Sequence, residues 1–242
     1  MIKYDNKGET NMWEPVKNTK QMKILFDSFL NKYSKNYDPY VLSYIKHFFW
    51  KEMGNNVNPP ELLQVYSELG IYDLNDNPYQ AHLNNLRKYF DIKCNVLDIA
   101  SGAMPAFANL LAKEQLKLGS GTVTIYEPSL VIDKAKYPNM ILNRKKFSSK
   151  IDISDFELIT GILPCEVTED ILKSACMYQK LFYVAMCGCV HFEYEIDYEY
   201  YQQYIIDTTK KYLEEFNNGE LVIDRLENKY YIPYPILYNK KK

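Results

Sequence analysis

The chain has 242 residues, 47% of them hydrophobic, which suits one α/β domain with an appendage and a substantial core. Its formal net charge of −2 gives no general attraction to nucleic acid or acidic membranes, and no segment approaches ~18 uninterrupted apolar residues. The opening stretch MIKYDNKGETNMWEP has no apolar h-region, and Cys94, Cys165, Cys176, Cys187 and Cys189 make an odd set without a secretory signal. A cytoplasmic protein with reduced thiols and no membrane partner is therefore expected.

The first third reads as helices. Residues 19–33 place Met22, Leu25, Phe26, Phe29, Leu30 and Tyr33 on one helical stripe. Three further helix starts share one device, Asp38-Pro39, Asn58-Pro59-Pro60 and Asn77-Pro78. In each, a side-chain oxygen can cap free amides and proline occupies the first turn. Gly54 and Gly70 are stop signals, and His47, inside YIKHFFW, reads as structural. Residues 1–76 are thus predicted to form a helical cap packed on a domain spanning 77–242.

From Lys93 onward the pattern changes to apolar runs of strand length alternating with amphipathic stretches. Strands are predicted at 94–99, 122–127, 140–143, 156–160 and 181–186. The stretches between and after them are 105–117, 130–136, 167–178 and 198–216. The end, GELVIDRLENKYYIPYPILYN, reads as two strands around a turn near Glu227-Asn228. Pro233 and Pro235 favour an edge or bulged position there. The alternation predicts an α/β fold, doubly wound, with a mostly parallel seven-stranded sheet and a terminal antiparallel hairpin.

In such a sheet ligands sit beyond the carboxyl ends of the strands, where a turn of small residues lets them approach the backbone. The turn after the first strand is Asp98-Ile99-Ala100-Ser101-Gly102-Ala103-Met104-Pro105. It resembles the first motif of class I S-adenosylmethionine-dependent methyltransferases, acidic-x-Gly-x-Gly-x-Gly. Asp98 and Gly102 match; Ala100 and Met104 replace the outer glycines, and Pro105 opens the helix on a reshaped turn. The next strand ends at Glu127, followed by Pro128, where that family holds an acidic residue on the ribose hydroxyls. Glu127 follows Asp98 at a longer interval than the roughly 20 residues of the dinucleotide fold, with Gly119-Ser120-Gly121 absorbing the excess. The order of elements, ending in a hairpin, is also the family's pattern, so the resemblance covers roughly residues 77–238.

The resemblance implies S-adenosylmethionine as cofactor and methyl transfer as activity. It implies cofactor contacts from Asp98, Ala100, Ser101, Gly102 and Ala103, from Glu127 and Pro128, and from Gly161 and Ile162 after the fourth strand. Tyr79, on the helix before the first strand, is a contact candidate with a core role as its alternative. His82 lies on the same helix. GILPCEVTEDIL and FYVAMCGCVHF partly match a subgroup that includes tRNA 2′-O-methyltransferase-like proteins. Glu166 stands where that subgroup has glycine, so the substrate is not carried over. The (Asp/Asn)-Pro-Pro-aromatic motif of base-amine methylation is absent, which leaves Pro164-Cys165-Glu166 facing the acceptor.

Glu166 and His191 are the candidate catalytic residues, one to hold or deprotonate an acceptor and the other as general base, each with local hydrogen bonding as its alternative. Cys187, Cys189 and His191 alternate on one face, and Cys165 ends the adjacent strand. A zinc site is one reading; buried thiols walling the acceptor side, without stoichiometric metal, are the expectation. Arg144-Lys145-Lys146 and the tail from Lys240 either touch phosphate or form solvated faces. The acceptor is open among small molecule, RNA and protein, and no strong nucleic-acid signal is present. Two alternatives stand beside methyl transfer. Gly102-Ala103-Met104-Pro105 resembles the turn of nicotianamine synthase-like enzymes, which transfer the aminobutyrate part of the same cofactor. The lost glycines also fit an inactive methyltransferase-fold scaffold.

Overall fold

The computed structural model describes residues 78–102, 105–130, 132–186, 198–226 and 235–241. The expected cap at 1–76, with His47, lies outside them, as do Ala103, Met104 and the segment holding Cys187, Cys189 and His191. Pro78–Lys242 forms one compact unit.

Pro78 opens α1 (Pro78–Tyr89), which buries Leu83 and Leu86 and closes with Arg87 and Lys88 beside its carbonyl end, where positive charge is favoured. Strand β1 (Asn95–Ile99) exposes Asn95 at its start, and its buried remainder is apolar except at Asp98. It is followed by α2 (Ala106–Leu118), which ends on Gly119 in the left-handed region at φ 77°. Then come β2 (Thr122–Tyr126), β3 (Met140–Asn143) and β4 (Leu158–Ile162), a 3-10 turn (Cys165–Val167), α3 (Thr168–Met177) and β5 (Leu181–Ala185). The order closes with α4 (Tyr198–Glu215), β6 (Glu220–Arg225) and β7 (Pro235–Lys240).

Among the described residues the strands form one seven-stranded sheet in the order β3-β2-β1-β4-β5-β7-β6. The run from β3 to β5 is parallel, and β7 is antiparallel to both β5 and β6. This is the fold that the sequence resemblance implies. The chain winds one way from β1 through β2 to β3 and the other way through β4 to β5, so the topological switch point lies between β1 and β4.

Period-two alternation sorts the strand residues between two helical layers. Leu97, Ile99, Ile159, Phe182, Val184 and Leu237 pack with Ile171, Leu172, Ile205 and Leu213 of α3 and α4. Asp98, Thr160, Tyr183 and Tyr238 are register neighbours along one row of the other face. That face meets α1, whose His82 Nδ1 lies 3.1 Å from the Tyr183 hydroxyl and whose Asn85 Nδ2 donates to the same oxygen at 3.3 Å. Burial lowers the His82 pKa to about 3, so it packs as neutral imidazole.

Two sequence expectations need correction. The amphipathic stretch at 130–136 forms no helix among its described residues. Leu130 and Ile132 are both buried, a spacing of two rather than three or four, and the Ile132 carbonyl accepts from the Arg144 guanidinium at 2.6 Å instead of from a helical amide. Second, β7 is an interior strand, although its proline suggested an edge. Pro235 is the first residue of β7, where its carbonyl accepts from the Met186 amide at 2.9 Å and no ladder donor is lost. The edge strand is β6; Pro233 lies outside the described residues.

The interior position of β7 is secured by Asn239, which is fully buried. Its Oδ1 accepts from the Phe182 amide at 2.9 Å, and its Nδ2 donates to the Lys180 and Asn218 carbonyls at 3.1 and 3.0 Å. Removing that amide leaves the Phe182 amide and the Asn218 carbonyl short of a partner, while the Lys180 carbonyl keeps Asn218 Nδ2 at 2.9 Å. Asn239→Ala is therefore expected to cost about 3 kcal/mol, lowering Tm by roughly 10 °C, measurable by calorimetry or thermal circular dichroism.

Candidate functional site

The carboxyl ends of β1, β2 and β4 carry the polar groups that the apolar strands otherwise exclude. Asp98, near the end of β1, is 1% exposed, and Glu127, just past β2, is 7% exposed. A buried carboxylate must be met by donors. Asp98 Oδ2 accepts from the Ser101 hydroxyl at 2.5 Å, and its Oδ1 from the Thr160 hydroxyl at 2.6 Å. Glu127 Oε2 accepts from the Gly102 amide at 3.1 Å and Oε1 from the Ser129 amide at 2.8 Å. Glu127 thus ties the turn after β1 to the turn after β2.

Among the described residues, every donor to these two carboxylates is neutral. Burial, the largest cause, pushes the Asp98 pKa up to about 6; the two hydroxyls oppose the rise and the charge of Glu127 adds to it.

The backbone around the switch point is conformationally costly. Ala100 has φ 57°, and Leu163 and Cys165, on either side of Pro164 after β4, have φ 59° and 49°. Residues with a Cβ enter this left-handed region at a cost of about 1–3 kcal/mol each, and such strain collects at functional turns. Gly102 takes φ 76°, where glycine is at ease. The Ala100 amide still donates to the Tyr126 carbonyl at 3.0 Å, so the turn leaves the sheet only after that bond.

The other sequence candidates fall as follows. Ser101 is half-buried, Gly102 and Pro128 are exposed, and Tyr79, on α1, is half-buried. Gly161 and Ile162 end β4, with Ile162 buried. The missing side chain of Gly161 has a packing reason, since a Cβ there would meet Ile171 Cδ1 at 3.0 Å. Glu166 is exposed in the 3-10 turn beyond β4. Cys165 is half-buried, and its carbonyl accepts from the Thr168 hydroxyl at 2.6 Å at the start of α3. Ala103 and His191 lie outside the described residues, as do the other members of the cysteine cluster. Arg144 is engaged with Asp133 and the Ile132 carbonyl, and the Lys240 ammonium lies 5.8 Å from the Tyr89 ring centroid. A surface concavity of about 450 Å³ lined by Arg87, Tyr89, Asp91 and Leu118, among others, lies at the opposite, amino edge of the sheet.

Thr160 was not singled out by sequence reasoning. Its signal was a lone hydroxyl in the apolar run LITGI, since a polar group in a buried strand needs a partner.

No family model matches the chain, and no curated protein does. Among solved structures it is similar to precorrin-6y C5,15-methyltransferase from Geobacter metallireducens GS-15, at 13% identity and TM-score 0.44, covering 68% of this chain and 87% of that one. It is also similar to a SAM-dependent methyltransferase from Aquifex aeolicus, at 16% identity and TM-score 0.43, covering 75% and 97%. The CMeT domain of the citrinin polyketide synthase is a third, at 14% identity and TM-score 0.45, covering 75% and 56%. Identity at this level does not carry a substrate or a mechanism from one chain to another.

Two outcomes follow from the turn. Ala100→Gly removes left-handed strain of about 1–2 kcal/mol against an entropic cost of about 0.5–1 kcal/mol, so a net gain near 0.5–1 kcal/mol is expected in denaturant titration. Asp98 has a folded pKa raised above its unfolded value, so its stabilising contribution is fully present below pH ~4 and lost as pH rises through about 6. Relative to Asp98→Asn, the native protein should lose about 2–3 kcal/mol between pH 4 and pH 7, read from denaturation curves at each pH.

Proposed function

We propose that the domain binds S-adenosylmethionine at the carboxyl edge of the sheet and acts as a methyltransferase, with its acceptor on the side of Pro164-Cys165-Glu166. The observation that carries this reading is the state of Glu127. A carboxylate has about four acceptor positions. Backbone amides occupy one on each oxygen. Among the described residues one position per oxygen remains, a match for the two hydroxyls of a ribose.

The neutral donors around Asp98 and Glu127 favour a ligand that brings positive charge, as a sulfonium does. The small Ser101 and the side-chain-free Gly102 leave room for the methionine end, and exposed Glu166, just beyond the strained backbone after β4, is the group we assign to the acceptor side. When bound, the cofactor supplies the reactive methyl group. The chain's own part is to hold donor and acceptor in line and, with Glu166 and His191, to accept a proton from the acceptor. No helix among the described residues is long and apolar enough to cross a membrane. We place the activity in the cytoplasm, supported by free Cys94 and Cys176 and by an odd total of five cysteines.

Calorimetric titration with S-adenosylhomocysteine tests the proposal. Charge-assisted hydrogen bonds of about 1.5–3 kcal/mol predict that Glu127→Ala weakens binding roughly 10- to 100-fold. Glu127→Gln, which keeps one acceptor oxygen, should fall between. No heat of binding to the native protein, or equal affinity in a folded Glu127→Ala variant, removes the assignment.

A further inference from the structure

Three strands converge at the candidate site, and side-chain hydrogen bonds, continued through the Ser101-Gly102 peptide and a backbone amide, join them. The path starts on β4 with the Thr160 hydroxyl, passes to Asp98 on β1, and continues from Asp98 to Ser101. The next residue, Gly102, donates its amide to Glu127 beyond β2. Thr160 and Asp98 are register partners, and the hydroxyl spans the β1–β4 switch point. We propose that Thr160 is a positioning residue for the cofactor turn: through Asp98 and Ser101 it fixes Gly102, and with it the orientation of Glu127. This inference rests on the cofactor reading above and extends it to a residue that touches no ligand.

The energetics argue for function rather than packing. Asp98 in its ionised form costs stability at neutral pH, so an asparagine or serine would be a cheaper way to fill the same space. Only an ionised carboxylate accepts strongly from two hydroxyls at once. A valine at 160 would suit an apolar strand better still, yet it would leave Asp98 Oδ1 without its donor. The relay also explains how Ala100 is kept in the left-handed region, because the residues before and after the strained position are both tied down.

Among the described residues, the ionisable surroundings of Asp98 are few. Glu127 faces it from the end of β2. On the same face of the sheet, His82 of α1 and Tyr183 of β5 engage each other, the imidazole kept neutral and the phenol pKa raised by burial. On α2, Lys113, Glu114 and Lys117 lie in the half of the helix that runs toward the amino edge, where Glu114 pairs with Arg87. β4 contributes only the Thr160 hydroxyl. Loss of that donor therefore acts on Asp98 directly, raising the pH at which the carboxyl takes up a proton.

The test uses the full chain with Thr160→Val and Thr160→Ser, and two readouts. The first needs no ligand: the Asp98 carboxyl carbon resonance is followed against pH. The midpoint near 6 should move upward in Thr160→Val and return in Thr160→Ser. The second is calorimetric affinity for S-adenosylhomocysteine against pH. Affinity should weaken about tenfold in Thr160→Val, fall off at a higher pH than in the native protein, and recover to within about threefold in Thr160→Ser. An unmoved Asp98 midpoint overturns the relay whatever the binding data. A moved midpoint with unchanged affinity and pH profile in the valine variant overturns the positioning role. Absence of binding to the native protein sinks the cofactor reading, and this positioning role with it, while the midpoint then reports on the bare hydrogen-bond chain.

Discussion

Placing two carboxylates at the ends of adjacent strands, with neutral donors only, is the constraint around which the carboxyl edge is built. Each charge is out of water, and each must be matched by donors. Strand β4 supplies one, the Thr160 hydroxyl, and the turns supply the others. Ser101 and Gly102 leave β1 in a conformation that aims a hydroxyl at one carboxylate and an amide at the other. Ser129 closes the second carboxylate from the far side. The shape of both turns is thus dictated by charge satisfaction, with the apolar core setting only where the strands end.

That division gives the described part of the glycine-poor turn, residues 100–102, a defined geometry. In a glycine-rich loop, backbone freedom lets the chain approach a ligand. Here Ala100 occupies the left-handed region that glycine would occupy, held by the hydrogen bonds on either side of it. The turn geometry is enforced by partners rather than permitted by composition.

The sheet was legible in the sequence because its signals are local. Apolar runs marked the strands, and the proline at 78 and the glycine at 119 fell where a helix begins and another ends. What escaped notice depended on contacts distant along the chain. The stretch 130–136 reads as amphipathic, but Arg144, from beyond β3, takes the carbonyl that a helix would need. Pro235 reads as an edge residue until the Met186 amide is seen to use its carbonyl. Asp98 and Glu127 stood out in the sequence by their places at strand ends, and the structure buries both at the carboxyl edge. Thr160, Asn239 and Asn85 did not stand out, because a single polar residue in an apolar run announces a need without naming its partner. The chemistry of Cys187, Cys189 and His191 lies outside the described residues.

The threading of β7 between β5 and β6 has a consequence for how the sheet is made. During synthesis β5 emerges well before residue 235, and its outer backbone edge has no neighbour until β7 arrives. Pairing across such a separation is slow, because a long loop must close before any contact rewards it. For that interval the nascent chain carries an open, apolar strand edge of the kind that recruits other chains. In the finished sheet the edge passes to β6, a strand bearing Glu220, Asp224 and Arg225, so the vulnerable apolar edge exists only while the domain is being born.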